Sequence, residues 1–378
     1  MAEKTKQSIV KEKITEWISS GNVRSGEKIP SENELVKMFG VSRHTVRQAV
    51  GDLVHEGWLY REQGAGTFCS FQSKHLLDPA LSPGSSAFPS SPANKKNIGV
   101  ITTYISDYIF PSIIKGIESY LTAQGYSLTF ACTDNNVEKE RQCLQTMLSR
   151  QIDGLIVEPT KSSNHNPNIN YYLELEQKNI PYLMINQFYP QLMPPHIIVD
   201  DEQGGFAATD HLIGLGHERI IGLFKTDDLQ GVNRMKGFIR AFRENGVPFF
   251  QEMAIPYTTE EQDRVILEKL ERHFKAKSTP TAVVCYNDQL ALAVLDMLRR
   301  LDLKVPDQVS IVGYDDSSLA EASEVKLTSV THPKTDMGIE AAKWIVSAVE
   351  KKGKLPPSFV YQPELVIRSS TSPANPIR

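Results

Sequence analysis

Two groups of residues in this 378-residue chain have the types and spacing to do chemistry. The first is Arg43, His44, Thr45, Arg47 and Gln48, interleaved at helical spacing with apolar Val46, Ala49, Val50, Leu53 and Val54. Arginine reaches guanine edges or phosphates, glutamine pairs with adenine, and threonine meets a thymine methyl or a phosphate. Such a set suits a helix lying in a DNA major groove. The second group is a series of residues that each follow a short apolar run: Tyr104, Tyr108 and Phe110 after IGVIT, Glu158 after GLIV, Asn186 after PYLMI, Asn287 after TAVVCY, and Asp315 after VSIVGY. Arg234, expected at the start of the helix that follows RIIGLF, and His332, at a later crossover, complete the set. Carboxylates, amides and arginine engage the vicinal hydroxyls of a sugar two at a time, while Tyr104, Tyr108, Phe110 or Tyr286 can cover its C–H face.

The elements that must position the first group are legible. Residues 5–20 place Ile9, Ile14, Trp17 and Ile18 at helical spacing, and Gly21 stops that helix. Ser31 with Glu34 three residues on is a capping box, so a second helix begins at Glu32 and ends at Gly40. Ser42 caps a third through Val54, which makes a helix-turn-helix. The run GWLYREQGAGTFCSF then reads as a β-hairpin whose tip, Gln63 to Gly66, is narrow enough for a minor groove. Basic residues on an amphipathic helix are as often merely its solvated face, and two glycines as often merely a turn. The cap, turn, arginine pair and hairpin occurring together favour a winged helix.

Leu76 to Asn97 holds four prolines and five serines in 22 residues and reads as a linker. Beyond it, apolar runs alternate with helix-length amphipathic ones, Phe110 to Ala123, Val137 to Arg150, a helix from Gln203, and Asp288 to Leu301 among them. Continuous apolar strands separated by helices imply parallel sheets covered on both faces. About nine such strands exceed one comfortable sheet, so the fold class is α/β with two lobes, and the second group lies beyond the carboxyl ends of the strands, where such sheets bind ligands. Asp316 and Ser317 are expected to cap a helix, and Cys285 and Met184 to be core. His211 and His217, six apart, have the wrong spacing for a helical zinc pair.

Charge and composition bound the function. The net charge is −4, but the first 75 residues carry +2 and the remainder −6, so the small front segment has the sign DNA requires. Four cysteines without a CxxC pair argue against structural zinc, no metal is implied, and thiols in a reducing compartment are expected. No signal-like or membrane-length apolar run occurs, so a soluble cytoplasmic protein is expected. Neither GxSxG, a Walker lysine, HExxH nor a dinucleotide fingerprint after the first strand is present, so an enzyme is not expected. A sugar transport receptor shares such a cleft, and the missing export signal and the winged helix count against it.

The run PSENELVKMFGVSRHTVRQAVGDLVHEGWLYREQGAGTF resembles the winged-helix domain of GntR-family bacterial regulators. That resemblance implies DNA contacts from Lys6 and Glu32 at two helix starts, from Arg43, His44, Thr45 and Arg47, and from the wing residues Gln63, Gly64, Gly66 and Thr67. Glu32 would either accept from a cytosine amino group or orient an arginine. The segments NIGVITTYISDYIFPSIIKGIESYL, IDGLIVEPT, RMKGFIRAF, TAVVCYNDQLALAVLDMLRRLDLKVPDQVSIVGYDDSSLA and LTSVTHP resemble instead the core of LacI/GalR regulators and periplasmic sugar-binding proteins. By that resemblance Arg234, Asn287, Asp315 and His332 contact sugar directly, His332 standing where many relatives carry Gln. The combination is that of the arabinose-responsive repressors of Gram-positive bacteria. It implies a winged helix at 1–75, a linker at 76–97 and a periplasmic-binding-protein-like core at 98–370, with lobe one at about 98–196 and 332–356 and lobe two at about 197–331 and 357–370. It further implies a homodimer through the core, a pseudo-palindromic operator, L-arabinose as effector, no cofactor and no membrane. Repression and activation use the same parts, and the residues alone leave both open.

Overall fold

The computed structural model describes residues 6–19, 23, 27–55, 58–62, 66–69, 96–106, 108–262, 264–276, 279–350 and 356–374. These fall into two units, Met1–Pro89 and Ser90–Arg378. The expected linker, apart from its last two residues, lies outside the described residues.

In the smaller unit the helices are α1 (Lys6–Ser19), α2 (Glu32–Phe39) and α3 (Arg43–His55), followed by strands β1 (Leu59–Glu62) and β2 (Gly66–Cys69). Both halves of the expected capping box form: Glu34 N–H donates to Ser31 Oγ, and the Glu34 carboxylate accepts from Ser31 N–H at 2.7 Å. Gly40 closes α2 in the left-handed region (φ 63°), where a Cβ is disfavoured. Val46, Ala49, Val50 and Leu53 of α3 pack on Val10 and Ile14 of α1, Leu35 of α2 and Trp58, while Val54 is half-buried at the edge of that cluster. The strands pair antiparallel from Leu59↔Cys69 to Glu62↔Gly66, and Lys28 bridges to Phe68 as a short third strand.

The larger unit runs β3 (Asn97–Thr102), α4 (Phe110–Ala123), β4 (Ser127–Cys132), α5 (Val137–Ser149), β5 (Gly154–Val157), α6 (Ile169–Gln177), β6 (Tyr182–Ile185) and β7 (His196–Val199). It continues through α7 (Asp201–Gly214), β8 (Ile220–Lys225), α8 (Leu229–Glu244), β9 (Ala254–Tyr257), α9 (Arg264–Phe274), β10 (Ala282–Val284), α10 (Asp288–Arg300) and β11 (Ser310–Asp315). The last elements are α11 (Ser318–Ala322), β12 (Thr328–Thr331), α12 (Lys334–Val349), β13 (Phe359–Tyr361) and β14 (Leu365–Val366).

They build two six-stranded sheets, ordered β13-β7-β6-β5-β3-β4 and β14-β12-β11-β10-β8-β9. All neighbours are parallel except β14, which runs against β12. In lobe one, α4 and α12 cover one face and α5 and α6 the other. In lobe two, α7 and α8 cover one face and α9 and α10 the other. Among the described residues no helix is long and apolar enough to cross a membrane.

Three sequence expectations require correction. His196–Val199 was divided between the lobes and Phe359–Tyr361 assigned to lobe two, but both strands hydrogen-bond into the lobe-one sheet. The chain therefore crosses after Val199, after Thr331 and after Tyr361. Arg234 does not begin a helix: Asp228 caps α8 through Gly231 N–H at 2.7 Å, which puts Arg234 in its second turn. Ser317 occupies an N-cap position, yet its hydroxyl is drawn away to Asp288 Oδ2 (2.8 Å), and Asp316 is paired with Arg368. Met184 and Cys285 are buried in the core as expected.

α4 and α12 approach closely enough that a Cβ added at Gly116 would lie 2.3 Å from Thr335 O, and one at Gly338 2.2 Å from Ile113 O. The two glycines let the helix backbones touch over the lobe-one sheet.

Candidate functional site

The exposed face of α3 and the cleft of the core belong to different units and are built separately. On α3, Arg43, His44, Arg47 and Gln48 are exposed. Thr45 is half-buried: its N–H donates to Ser42 Oγ (3.1 Å) and its hydroxyl lies 2.8 Å from the same oxygen, so its methyl is the part it can offer a base. Glu32, at the start of α2, reaches across the turn. Arg47 donates to Glu32 Oε2 at 3.1 Å, and Arg43 Nε stands 3.5 Å from the same oxygen. Glu32 thus pairs with both arginines of α3. On the wing, Gly66 has φ 134°, open to glycine and strained for other residues, and Thr67 O accepts from Ile29 N–H at 3.0 Å. Gln63 and Gly64 lie outside the described residues, as does the side chain of Lys6.

In the larger unit the carboxyl ends of strands from both lobes converge on a cavity of about 330 Å³. Tyr104, Tyr108, Phe110, Glu158, Asn186, Arg234, Asn287 and Asp315 all line it. Four lining residues other than glycine take positive φ: Tyr108 (61°), Asn135 (51°), Asn186 (63°) and Asp315 (92°). Such conformations cost about 1–3 kcal/mol each and persist where surrounding structure over-determines them, which is common at ligand sites.

The lobe-one wall centres on Glu158. One oxygen accepts from Thr103 N–H (2.9 Å) and from the Thr103 hydroxyl (2.5 Å); the other accepts from Asn186 Nδ2 at 2.7 Å. Burial pushes this carboxyl above its ordinary range, and those donors oppose the shift. Behind the wall, His332 Nε2 lies 3.0 Å from Asn186 Oδ1. His332 is buried but does not line the cavity, because the chain leaving β12 passes beneath Asn186. The residue expected to contact sugar directly thus stands one side chain behind the cavity wall, against Asn186.

The lobe-two wall centres on Arg234. Its guanidinium packs between the rings of Tyr314 (3.5 Å) and Tyr286 (4.7 Å), donates from Nε to Asp201 (2.8 Å) and from Nη1 to Tyr286 O (2.6 Å). Its Nη2 faces Asp315 Oδ1 at 3.7 Å. That Asp315 oxygen is buried and accepts no hydrogen bond among the described residues. Burial raises the Asp315 carboxyl, and Arg234 counters it. Burial likewise lifts Asp201 to about 6, against the pull of Arg234. Asn287 caps α10 by accepting from Leu290 N–H at 2.9 Å, which leaves its amide nitrogen as the group to present.

The sequence reading missed Lys225, Asp228, Gln187, Gln230, Asn135 and Thr259, all of which line the cavity. Lys225 ends β8 and stands 3.3 Å from Asp228, which also accepts from the Tyr286 hydroxyl at 2.9 Å. Burial disfavours the Lys225 charge, but Asp228 and Asp227 outweigh it and hold the ammonium above its usual value. The rule that found Glu158 and Asn186, a polar residue at the end of a strand, points equally to Lys225.

Donors and acceptors thus both line the cavity, with aromatic residues Tyr104, Tyr108, Phe110 and Tyr286 among them. Carboxylates and cations nearly balance, which suits an uncharged polyhydroxyl ligand held by paired hydrogen bonds. A volume near 330 Å³ is at the small end of the ~300–1,000 Å³ span of ligand pockets.

Comparison with known proteins places these parts. Residues 6–69 match the family model of bacterial regulatory proteins of the gntR family, and residues 209–371 that of the periplasmic binding protein-like domain. The chain is 52% identical to the arabinose metabolism transcriptional repressor of Halalkalibacterium halodurans, over 98% of this chain and 97% of that protein. It is 47% identical to the repressor of the same name from Geobacillus stearothermophilus, over 98% of this chain and 99% of that protein. Among solved structures, the transcription regulator CcpA of Lactococcus lactis superposes with a TM-score of 0.65 at 24% identity, covering 74% of this chain and all of that one. A LacI family regulator from Enterococcus faecium with bound ribose gives 0.64 at the same identity and coverage. At that identity the two structures establish the fold of the core.

Proposed function

Since this chain belongs to the family of arabinose metabolism transcriptional repressors, DNA-binding regulators rather than enzymes, we propose that L-arabinose binding in the cleft releases it from its operator. Residues 1–75 form the DNA-reading module, 76–97 the linker and 98–370 the effector-binding and dimerising core of a cytoplasmic homodimer. Two winged helices then meet two half-sites of a pseudo-palindromic operator, each placing Arg43, His44, Thr45, Arg47 and Gln48 at the major groove and Gln63 to Thr67 at the minor.

The observation that carries the effector assignment is the buried Asp315 oxygen beside Arg234 that accepts no hydrogen bond among the described residues. A buried acceptor left unmatched costs about 1–3 kcal/mol or more. A sugar hydroxyl supplies the missing donor while Arg234 donates to a neighbouring hydroxyl. The effector acts only through its different affinity for the operator-bound and released geometries, and a coupling of about 1–3 kcal/mol, or roughly 5–150-fold, is the expected scale.

Calorimetric titration with L-arabinose, D-xylose, D-ribose and D-galactose tests the site. Gel shifts with a duplex that the protein itself selects from a random pool test the coupling. L-Arabinose should bind best and weaken DNA binding. A preference for another sugar would change the effector, and sugar-strengthened DNA binding would make the protein an activator. Asp315→Asn, which keeps the volume and removes the charge, should weaken L-arabinose roughly tenfold or more and leave sugar-free DNA binding intact. Unaltered sugar affinity would remove Asp315 from the site.

A further inference from the structure

The second of the three lobe crossings passes directly behind the sugar-reading wall. β12 ends at Thr331 in lobe two and α12 begins at Lys334 over lobe one, so His332 and Pro333 span the boundary. His332 holds Asn186 Oδ1 at 3.0 Å, and Asn186 in turn donates to Glu158 at 2.7 Å. Lys334 donates to the carbonyls of Asp315 and Asp316, at 2.6 and 2.9 Å. One short segment therefore grips both walls, the Glu158 carboxylate through a side-chain relay and the Asp315 loop through its backbone.

We propose that His332 is a positioning residue for the effector, fixing the Glu158 carboxylate through Asn186 and tying it to the crossing between the lobes. The assignment rests on the reading of the cleft as the sugar site. Only one tautomer serves the relay. Asn186 Nδ2 is committed to Glu158, so Oδ1 must accept and His332 must carry its proton on Nε2. His332 Nδ1 is buried without a hydrogen-bond partner among the described residues, as expected of a ring held for its other nitrogen. Asn186 is anchored at its backbone, at φ 63° with its main-chain N–H donating to Ile197 O at 3.0 Å, so the orientation of its amide is set by its side-chain partners His332 and Glu158. Glutamine carries an N–H donor of similar reach; leucine does not.

The test uses the full chain with L-arabinose and D-xylose as probes. His332→Leu should weaken L-arabinose at least roughly tenfold and narrow its margin over D-xylose, because an unfixed carboxylate loses its directional preference. His332→Gln should restore both to within about threefold of the parent. DNA binding without sugar reports that each variant is folded. Leucine without effect overturns the assignment, and so does a glutamine variant as impaired as the leucine one, since packing alone would then be at work. If His332→Leu fails to fold, nitrogen-15 spectra of the unmutated protein decide: the histidine Nε2–H signal should shift on saturation with L-arabinose, and an unmoved signal overturns the assignment. A parent protein that binds no pentose overturns the effector reading itself, whereas normal parental binding with an unimpaired leucine variant overturns this assignment alone.

Discussion

A carboxylate facing DNA lowers affinity unless it organises something else, and Glu32 organises Arg47 and Arg43 at 3.1 and 3.5 Å. Glu32→Gln should therefore split the two components of DNA binding. Affinity for random duplex should rise slightly as a negative charge leaves, while preference for the selected operator falls roughly tenfold as the arginines lose their register. Fluorescence anisotropy on both duplexes at two salt concentrations reads the split. The buried histidine yields a second residue-scale prediction. Burial lowers His332 from 6.5 to about 3, so between those values the unfolded chain binds a proton that the folded one refuses. Stability present above pH 6.5 is then lost on acidification, at up to about 1.4 kcal/mol per pH unit in that window. Asp288, raised by burial to about 6, has the opposite sign: between about 6 and the unfolded value of 3.8 the folded chain holds a proton that the unfolded chain has lost, so acidification through that window adds stability. His332→Gln removes only the histidine's share, so its unfolding midpoint should fall less than the parent's between pH 6.5 and 4. At this scale the sequence told which residues stand at strand ends, and Glu158, Asn186 and Asp315 follow from that alone. It could not separate the residue lining the cavity from the one behind it, because His332 and Asn186 differ only in how the chain passes beneath the sheet.

Elements were legible in proportion to their hydrophobic signal. α4 spans the residues its periodicity predicts, and α2 begins where Ser31 and Glu34 place it. None of the apolar runs covers β9, β12, β13 or β14: β9 carries a proline, β13 and β14 are only three and two residues long, and β12 is mostly hydroxyl residues, although Thr328 and Ser329 are fully buried. Their strand character comes from neighbours, not from an alternation of their own. Helix packing was equally invisible: nothing local in the sequence marks Gly116 and Gly338 as a facing pair. Gly338→Ala drives a methyl to 2.2 Å from Ile113 O and must separate α12 from α4. Despite alanine's better helix propensity, the change should destabilise lobe one by about 1–3 kcal/mol in urea unfolding. Unchanged stability would mean that the two helices can slide apart without loss.

For the whole core, several sets of cross-lobe bonds flank the cavity. Tyr108 donates from its hydroxyl to Tyr314 O (2.9 Å) and accepts from Asp288 N–H (3.1 Å); at the edge formed by β4 and β9, Asn135 donates to Thr259 (2.7 Å) and Lys161 pairs with Glu260 and Asp227. Tyr108→Phe keeps the ring over the cavity and removes the first set. L-Arabinose should then dissociate faster, with affinity reduced roughly 5–150-fold, the equivalent of about 1–3 kcal/mol for two buried groups left unmatched. Stopped-flow displacement measures the rate, and an unchanged rate would separate Tyr108 from closure. The three crossings have a further consequence, for biosynthesis. Lobe one opens with β3 at Asn97, but its covering helix α12 and its edge strand β13 are the last long helix and the penultimate strand to leave the ribosome. At ~5–20 residues per second, Ile98, Val100, Ile113 and Ile117 wait on the order of 10–50 s for Ala341 and Ile345 to cover them. Lobe two, interposed between, is largely translated first. The first lobe begun is thus the last that can be finished, and the apolar face awaiting α12 is where a chaperone would find this chain during translation.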